Sequence, residues 1–236
     1  MDLNLADHIL AAIIIVVLPI SGVWEYRYLA SMLAAGVPDA RIRGYRWIIG
    51  IEWGLAAAVV IAWAMSGRGF AALGFGMKTG LGTWIGWGTT AVLIALMLVE
   101  SRSVFRSEEK FSKAREVFET KQSHLLPLIP HTENDWKWFR LVGITAGICE
   151  EIVHRGFLIA YLSVLTGLWP AVALSSVAFG LAHAYQGIDG ILKTTLIGLV
   201  FALLYVFTGS LWAPILLHAV IDLNSGYIGY RVAGTR

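Results

Sequence analysis

The sequence predicts an all-α membrane protein, a bundle of seven helices that span the bilayer, or eight if one segment is divided. Of its 236 residues, 57% are hydrophobic and only 14% are charged, whereas soluble domains carry about 25% charged residues. The mean hydropathy is +0.69, and apolar runs of roughly 20 residues, the length that crosses a bilayer, recur along the chain. The net charge of +2 gives no support for binding nucleic acid.

Seven apolar segments are the candidate spans: 8–24, 46–65, 83–100, 138–163, 169–185, 190–208 and 211–229. Turn-forming stretches separate them, such as GVPDARIRGYR after the first span and TGLWP after the fourth. Pro170 in TGLWP suits the first turn of a new helix, where its missing N–H removes no hydrogen bond. An eighth helix would arise by splitting the long fourth segment or within the loop 66–82. The chain starts with acidic residues rather than a basic stretch, so the first segment is predicted to be a retained anchor.

Lysine and arginine residues are distributed unequally between the two sides of this arrangement. The segments after spans one, three, five and seven, counted with the first four residues of the spans that follow them, hold fifteen of them, and the opposite side holds two, Arg68 and Lys78. By the positive-inside rule, the N-terminus is predicted outside and the C-terminus in the cytoplasm. The predicted location is the inner membrane of a bacterium, where lipid is the surrounding partner.

Residues 101–135 form the one substantial polar block of the sequence. Val104, Phe111 and Phe118 recur at intervals of seven, as on one side of an amphipathic interfacial helix. The two adjacent glutamates at 108–109 are expected to be ordinary water-facing residues of that helix.

The fourth apolar segment contains an unusual concentration of charge, in the stretch ICEEIVHRGF at 148–157. Ionised side chains at that depth cost several kcal/mol unless they are paired or hydrated. Glu151 and Arg155 are spaced i, i+4 and share a helix face, where they can neutralise one another. Glu150 lies on a different face with His154, which leaves its carboxylate for another task.

Two later spans also place histidines inside apolar helices. FGLAH puts His183 four residues after Phe179, and HAVID puts His218 four residues before Asp222, where the carboxylate can orient the imidazole. Polar residues from separate spans are costly unless they share a polar cavity, so the sequence predicts such a cavity. Taken singly, each has a simpler interpretation as a packing histidine, a structural ion pair or an aromatic core residue.

Two kinds of hydrolysis fit these side chains. A glutamate and a histidine that face one water can deprotonate it for attack on a carbonyl, while a histidine held by Asp222 donates to the oxyanion. Alternatively, Glu150, His183 and His218 form a ligand set for a divalent metal such as zinc, with one position left for water. The sequence contains no HExxH motif, and the residues alone leave metal-dependent and metal-free routes open, so no cofactor is certain.

In these motifs the sequence resembles the CPBP family of intramembrane proteases, which includes CAAX prenyl endopeptidases and bacteriocin-processing or immunity proteins. The family pattern EExxxR, FxxxH and HxxxN/D reads here EEIVHR at 150–155, FGLAH at 179–183 and HAVID at 218–222. The match extends over residues 137–228. The resemblance implies an intramembrane endopeptidase whose partner is a peptide or protein, C-terminally modified in the CAAX branch, cleaved in a cavity between helices.

The resemblance implies a role for each motif residue. Glu150 activates the water with His183 as its partner, and His218 with Asp222 supports the oxyanion or orients the site. Three further residues are assigned supporting parts: Glu151, Arg155 and Phe179. The position before the arginine is usually aromatic in the family and is His154 here, either as a packing substitute or as a second titratable group on the cavity.

The chain is predicted to be one membrane domain in two parts. Residues 1–135 form a scaffold of three spans with a cytoplasmic amphipathic linker, and residues 136–236 form a catalytic core of four spans that carries the three motifs. Two other functions stay open: a proton-coupled transporter, because carboxylates and histidines also build proton relays, and a catalytically silent scaffold or immunity protein of the same fold.

Two residues outside the motifs are expected to be structural. Glu52 in the second span is predicted to lie shallow enough to face lipid headgroups. Cys149 is the only cysteine in the sequence, which excludes an intramolecular disulfide, and it is predicted to be a buried, unreactive thiol.

Overall fold

The computed structural model describes residues 2–120 and 125–234. Every regular element in these residues is helical, which confirms the all-α class. The first four helices are α1 (Leu5–Ala34), α2 (Ala40–Met65), α3 (Leu81–Arg106) and α4 (Glu108–Thr120). The others are α5 (Glu133–Glu151, continuing through Ile152–Leu158 and Ile159–Thr166), α6 (Leu168–Ala182), α7 (Gly187–Thr208) and α8 (Trp212–Ala233).

The bundle is built from apolar helices that suit a bilayer, and the chain is an integral membrane protein. Within the described residues, four helices are long and apolar enough to cross a membrane, namely α1, α2, α3 and the Ala184–Thr208 stretch that contains α7. α6 is a shorter apolar helix. α8 has 22 residues, a length of about 33 Å at 1.5 Å per residue. All seven predicted spans overlap helices of the structure, while the number that cross the bilayer stays a prediction.

Two of the long helices contain a π-helical stretch, in which each turn takes an extra residue. One lies in α1 at Ile13–Val17 and the other in α5 at Ile152–Leu158. Helical geometry continues on both sides of each stretch. The fourth predicted segment therefore forms one continuous helix, α5, rather than two helices. The break between α5 and α6 falls at Gly167, where φ is +84°, and Pro170 occupies the first turn of α6 as predicted.

The loop between α2 and α3 folds back onto the bundle and forms a single helical turn, Ala71–Phe75, instead of an eighth helix. Gly74 has a φ of +103° and its carbonyl accepts from the Leu211 N–H at 2.9 Å. Gly156 of α5 leaves room for this turn, since a Cβ at that position would lie 2.7 Å from the Leu73 carbonyl oxygen. The turn therefore packs directly against the π-helical stretch of α5.

α4 is a polar helix that contains two of the three residues whose spacing predicts it, Phe111 and Phe118, whereas Val104 lies in α3, before a break at Ser107. Its Phe111 ring lies 6.3 Å from that of Phe105, which in turn lies 5.4 Å from the ring of Tyr227 on α8. Lys113 Nζ is 2.6 Å from Glu109 Oε1, and both side chains are exposed, as expected for a water-facing pair. Its place at the membrane interface stays a prediction.

α5 and α8 approach each other closely at two glycines. A Cβ at Gly147 would lie 2.8 Å from the Ala219 backbone nitrogen, and a Cβ at Gly143 would lie 3.2 Å from Asp222 Cβ. Glycines four residues apart allow membrane helices to pack backbone against backbone. This contact brings the α8 motif, with His218, against the glutamates of α5.

Candidate active site

The predicted ion pair between Glu151 and Arg155 is present and fully buried. Arg155 Nη1 donates to Glu151 Oε1 at 2.8 Å, and Nη2 donates to the Gly198 carbonyl of α7 at 3.1 Å. The guanidinium carbon also lies 4.2 Å from the ring centroid of Phe179. A carboxylate, a carbonyl and an aromatic face together compensate for the removal of this cation from water.

Glu151 also orients His218 across the interface between α5 and α8. His218 Nδ1 donates to Glu151 Oε1 at 2.8 Å, the same oxygen that accepts from Arg155. An ionised carboxylate only accepts, so Nδ1 carries a proton. The other ring nitrogen, Nε2, faces Glu150 Oε2 at 3.8 Å and Asp222 Oδ2 at 3.7 Å. Glu151, rather than Asp222, therefore makes the orienting hydrogen bond, which corrects the expectation drawn from the i, i+4 spacing on α8.

Glu150 points into a cavity, as the separation of the two glutamates predicts. Its Oε2 atom is buried and has no hydrogen-bond partner among the described residues. The cavity has a volume of about 570 Å³, and Glu150 and His183 both line it. A buried carboxylate oxygen without an internal donor is a place where water or a substrate group is favoured.

His183 reaches the same cavity from the end of α6. Its Nδ1 donates to the Phe179 carbonyl at 2.9 Å, so Nε2 is left as the acceptor nitrogen of the neutral ring. The Phe179 ring centroid lies 4.8 Å from that of His183, 5.8 Å from His218 and 5.2 Å from His154. Phe179 is thus the common packing surface of three histidines and of Arg155.

His154 is both a packing residue and a residue of the cavity wall, the two alternatives that the sequence leaves open. The residue is buried, and its Nδ1 donates to the Glu150 carbonyl at 3.1 Å. Its own carbonyl, in the π-helical stretch, accepts from Ser175 Oγ of α6 at 2.8 Å. His154 also lines the cavity, so it both packs in the core and contributes an imidazole to the cavity wall.

The residues predicted for the site meet in one place, and three helices, α5, α6 and α8, contribute them. The hydrogen bonds, ring contacts and shared cavity above join all seven: Glu150, Glu151, Arg155, Phe179, His183, His218 and Asp222. Their individual chemical roles stay predictions.

A metal ion does not fit this arrangement of side chains. In the part of the chain that the structure describes, no group of three or more His, Cys, Asp and Glu residues is arranged to hold one. The set Glu150, His183 and His218 therefore does not form a metal site in this geometry. The metal-dependent route stays a hypothesis.

Glu52 and Cys149, which were expected to be structural residues, both line the cavity. The expectation that Glu52 faces lipid headgroups is wrong, because α2 starts at Ala40, six residues before the predicted span. Glu52 consequently lies about 18 Å along the helix from its first residue. The neighbouring Trp53 donates to Thr145 Oγ1 of α5 at 3.2 Å, which fixes α2 against the motif helix. Cys149 is buried, as predicted.

Two residues of α7 complete the site and were not predicted from the motifs. The Phe201 ring stacks on His218 with centroids 4.8 Å apart and lies 5.2 Å from the Arg155 guanidinium carbon. A Cβ at Gly198 would lie 3.1 Å from Arg155 Nη2. The available signal was the isolated glycine in an apolar helix, since small residues mark close approach between membrane helices.

Comparison with known proteins places the motif-bearing segment in a family. Residues 132–224 match the family described as type II CAAX prenyl endopeptidase Rce1-like. This match agrees with the resemblance to the CPBP family that the three motifs indicate. The chain is also 35% identical over 79 residues to a Bacillus subtilis (strain 168) protein named "Putative membrane peptidase YdiL". That segment covers 34% of the chain and 32% of the relative, about a third of each, and no solved structure matches.

Proposed function

We propose that this protein is an intramembrane endopeptidase that hydrolyses a peptide bond with a water molecule activated by Glu150 and His183. The observation that supports this most is the carboxyl group of Glu150: the residue lines a cavity together with His183, and its buried Oε2 has no hydrogen-bond partner among the described residues. A general base needs an acceptor atom within reach of the proton that it removes. The family match supports the same reaction class.

In the proposed reaction Glu150 removes a proton from water as the water oxygen attacks the scissile carbonyl carbon. His183 Nε2 accepts the second hydrogen bond of this water and fixes its direction of attack. The carbonyl oxygen becomes an oxyanion, and His218, when it carries a proton on Nε2 as well as on Nδ1, donates to it. The intermediate then collapses: Glu150 returns the proton to the departing amine nitrogen, the C–N bond breaks, and a carboxylic acid and an amine are released.

Replacing Glu150 by glutamine tests the proposal. Glutamine has nearly the same shape but cannot take up the proton, so cleavage is expected to fall by about 10²-fold or more. New peptide termini in membranes that contain the wild-type protein are compared by mass spectrometry with those in membranes that contain Glu150→Gln. The matched control is Glu109→Gln, the same substitution in an exposed ion pair on α4, which should cleave like the wild type.

Undiminished cleavage by Glu150→Gln would contradict the mechanism. Wild-type membranes that produce no new termini would favour the alternative of a catalytically silent scaffold of the same fold. Circular dichroism and gel filtration in detergent establish that each variant is folded, so that a loss of cleavage is not a loss of structure.

Treatment with a chelator tests whether the proposed hydrolysis is metal-dependent or metal-free. Because no group of three candidate ligands is arranged around an ion in the described residues, cleavage is expected to persist after extended dialysis against a chelator. The initial rates of the dialysed and undialysed proteins on one peptide are compared. A loss of activity that added zinc restores would instead support the metal-dependent route.

A further inference from the structure

The cavity extends away from the proposed catalytic residues into the space between α1 and α2. Its wall on this side is largely apolar and includes the aromatic residues Trp24, Tyr28 and Trp47. Two carboxyl groups, Glu25 of α1 and Glu52 of α2, also line it. Neither belongs to the three motifs, and the proposed reaction uses neither.

The two carboxyl groups differ in their partners. Glu25 accepts a hydrogen bond from the Trp47 side chain. Glu52 Oε2 is buried and has no hydrogen-bond partner among the described residues. A buried carboxyl oxygen in an apolar wall is unfavourable unless a donor or a cation joins it. A residue of the cavity wall therefore carries a carboxyl oxygen to which none of the described residues donates a hydrogen bond.

The charged residues on the cavity wall are predominantly acidic. The lining residues include three glutamates, Glu25, Glu52 and Glu150, and one arginine, Arg43. Arg43 precedes Glu52 by nine residues in α2, an axial separation of about 13.5 Å. Arg43 thus lies toward the start of the helix, and its guanidinium does not neutralise Glu52.

We propose that Glu52 determines specificity by binding the cationic side chain of a lysine or arginine in the peptide substrate. This inference rests on the proposed endopeptidase function and names its substrate class. The ammonium or guanidinium group supplies the partner that Glu52 lacks, and the aliphatic stem packs on the apolar wall. Because Glu52 and Glu150 line one cavity, the basic residue lies close to the bond that is cut.

The proposal is tested first by binding, without turnover, in the Glu150→Gln background. The probes are hydrophobic peptides with a photoreactive group, in a set that moves one lysine along the sequence, and each has a twin with uncharged norleucine at that position. The best lysine peptide is expected to bind about tenfold or more tightly than its twin, as for a hydrogen bond to a charged group. Adding Glu52→Gln should bring this ratio to about one.

Two variants make the binding result specific to the charge at position 52. Glu52→Asp retains the carboxylate and should retain a preference for lysine, which shows that the cavity is intact. Glu109→Gln removes an exposed carboxylate of α4 and should leave the ratio unchanged. A lysine preference that survives Glu52→Gln, or a ratio of one in the protein that retains Glu52, would overturn the proposal.

Cleavage of the same peptide pairs with Glu150 present separates this inference from the proposed function. A preference in kcat/KM for lysine that falls at least about tenfold in Glu52→Gln supports both. Cleavage that is indifferent to lysine and to Glu52→Gln would overturn the specificity role and leave the endopeptidase proposal standing. Glu52-dependent binding of lysine peptides without cleavage by the wild type would support the cation site and contradict the endopeptidase.

Discussion

The Oε1 atom of Glu151 holds two side chains of different helices at once. Arg155 of α5 and His218 of α8 both donate to it at 2.8 Å, and all three residues are buried. Removing one partner of a buried charge pair leaves the other charge uncompensated, which is the costly change for such a pair. Glu151 therefore serves both the stability of the bundle and the position of the imidazole in the site.

Replacing Glu151 by glutamine is expected to lower the free energy of unfolding by about 3–5 kcal/mol, since Arg155 loses its counter-charge. Reversible denaturation in detergent micelles, followed by tryptophan fluorescence, measures the change. The control Glu109→Gln breaks an exposed pair with Lys113 and should cost less than about 1 kcal/mol. Equal losses in the free energy of unfolding would show that the buried pair stabilises the protein no more than the exposed pair does.

The residues of the site could be predicted where a local spacing carries the information. The i, i+4 interval of Glu151 and Arg155 fixes their contact within one helix, and the same interval identifies the FxxxH and HxxxD motifs. The partner of His218 could not be predicted, because the choice between Glu151 and Asp222 depends on how α5 and α8 pack. The position of Glu52 on the cavity wall could not be predicted either, because its depth along the helix depends on where α2 begins.

The π-helical stretch Ile152–Leu158 is the element that joins the motif helix to its neighbours. Such stretches lose regular backbone hydrogen bonds and occur frequently at functional sites. Here the His154 carbonyl accepts from Ser175 Oγ of α6 at 2.8 Å, and Gly156 makes room for Leu73. Because these contacts come from distant parts of the chain, hydrophobic periodicity predicts the helix but not its change of pitch.

Replacing Ser175 by alanine is expected to lower the free energy of unfolding by about 1–3 kcal/mol, because a buried carbonyl in the π-helical stretch loses its donor. Ser176→Ala is the matched control: this neighbouring serine is also buried, but its Oγ donates to Val172 O one turn earlier in its own helix, at 2.7 Å. That carbonyl belongs to a regular α-helix, so the control should cost less. Denaturation of the two variants side by side measures the difference, and a larger loss in Ser176→Ala would contradict the role of Ser175.

At the scale of the whole molecule, the sequence predicts the long helices well and their ends poorly. Apolar runs identify the seven helices that overlap the predicted spans. Glycine and proline mark breaks between helices, as at Gly167. α1 continues ten residues past its predicted end at 24, and part of that extension, including Glu25, faces the cavity. A charged residue such as Glu25 looks like the end of a membrane span when only the composition is considered. In the structure the helix continues past it, and the charged side chain lines the cavity.

The orientation of the bundle in the membrane is a prediction of the charge distribution and can be measured directly. In a Cys149→Ala background, single cysteines replace Thr79 in the α2–α3 loop and Ser112 in α4, both exposed positions. The positive-inside rule places the first outside and the second in the cytoplasm. A membrane-impermeant maleimide added to intact cells should label only the cysteine at position 79. Labelling of position 112 alone would reverse the predicted topology.

The cavity wall is encoded in two separate parts of the chain. The residues proposed to act on the peptide lie within residues 132–224, the segment that matches the family model, whereas the opposite wall comes from α1 and α2. On the proposed function, substitutions in the first 65 residues would therefore alter which peptides fit the cavity without touching the groups that act on them. The reaction and its selectivity would then be encoded in separate parts of one chain.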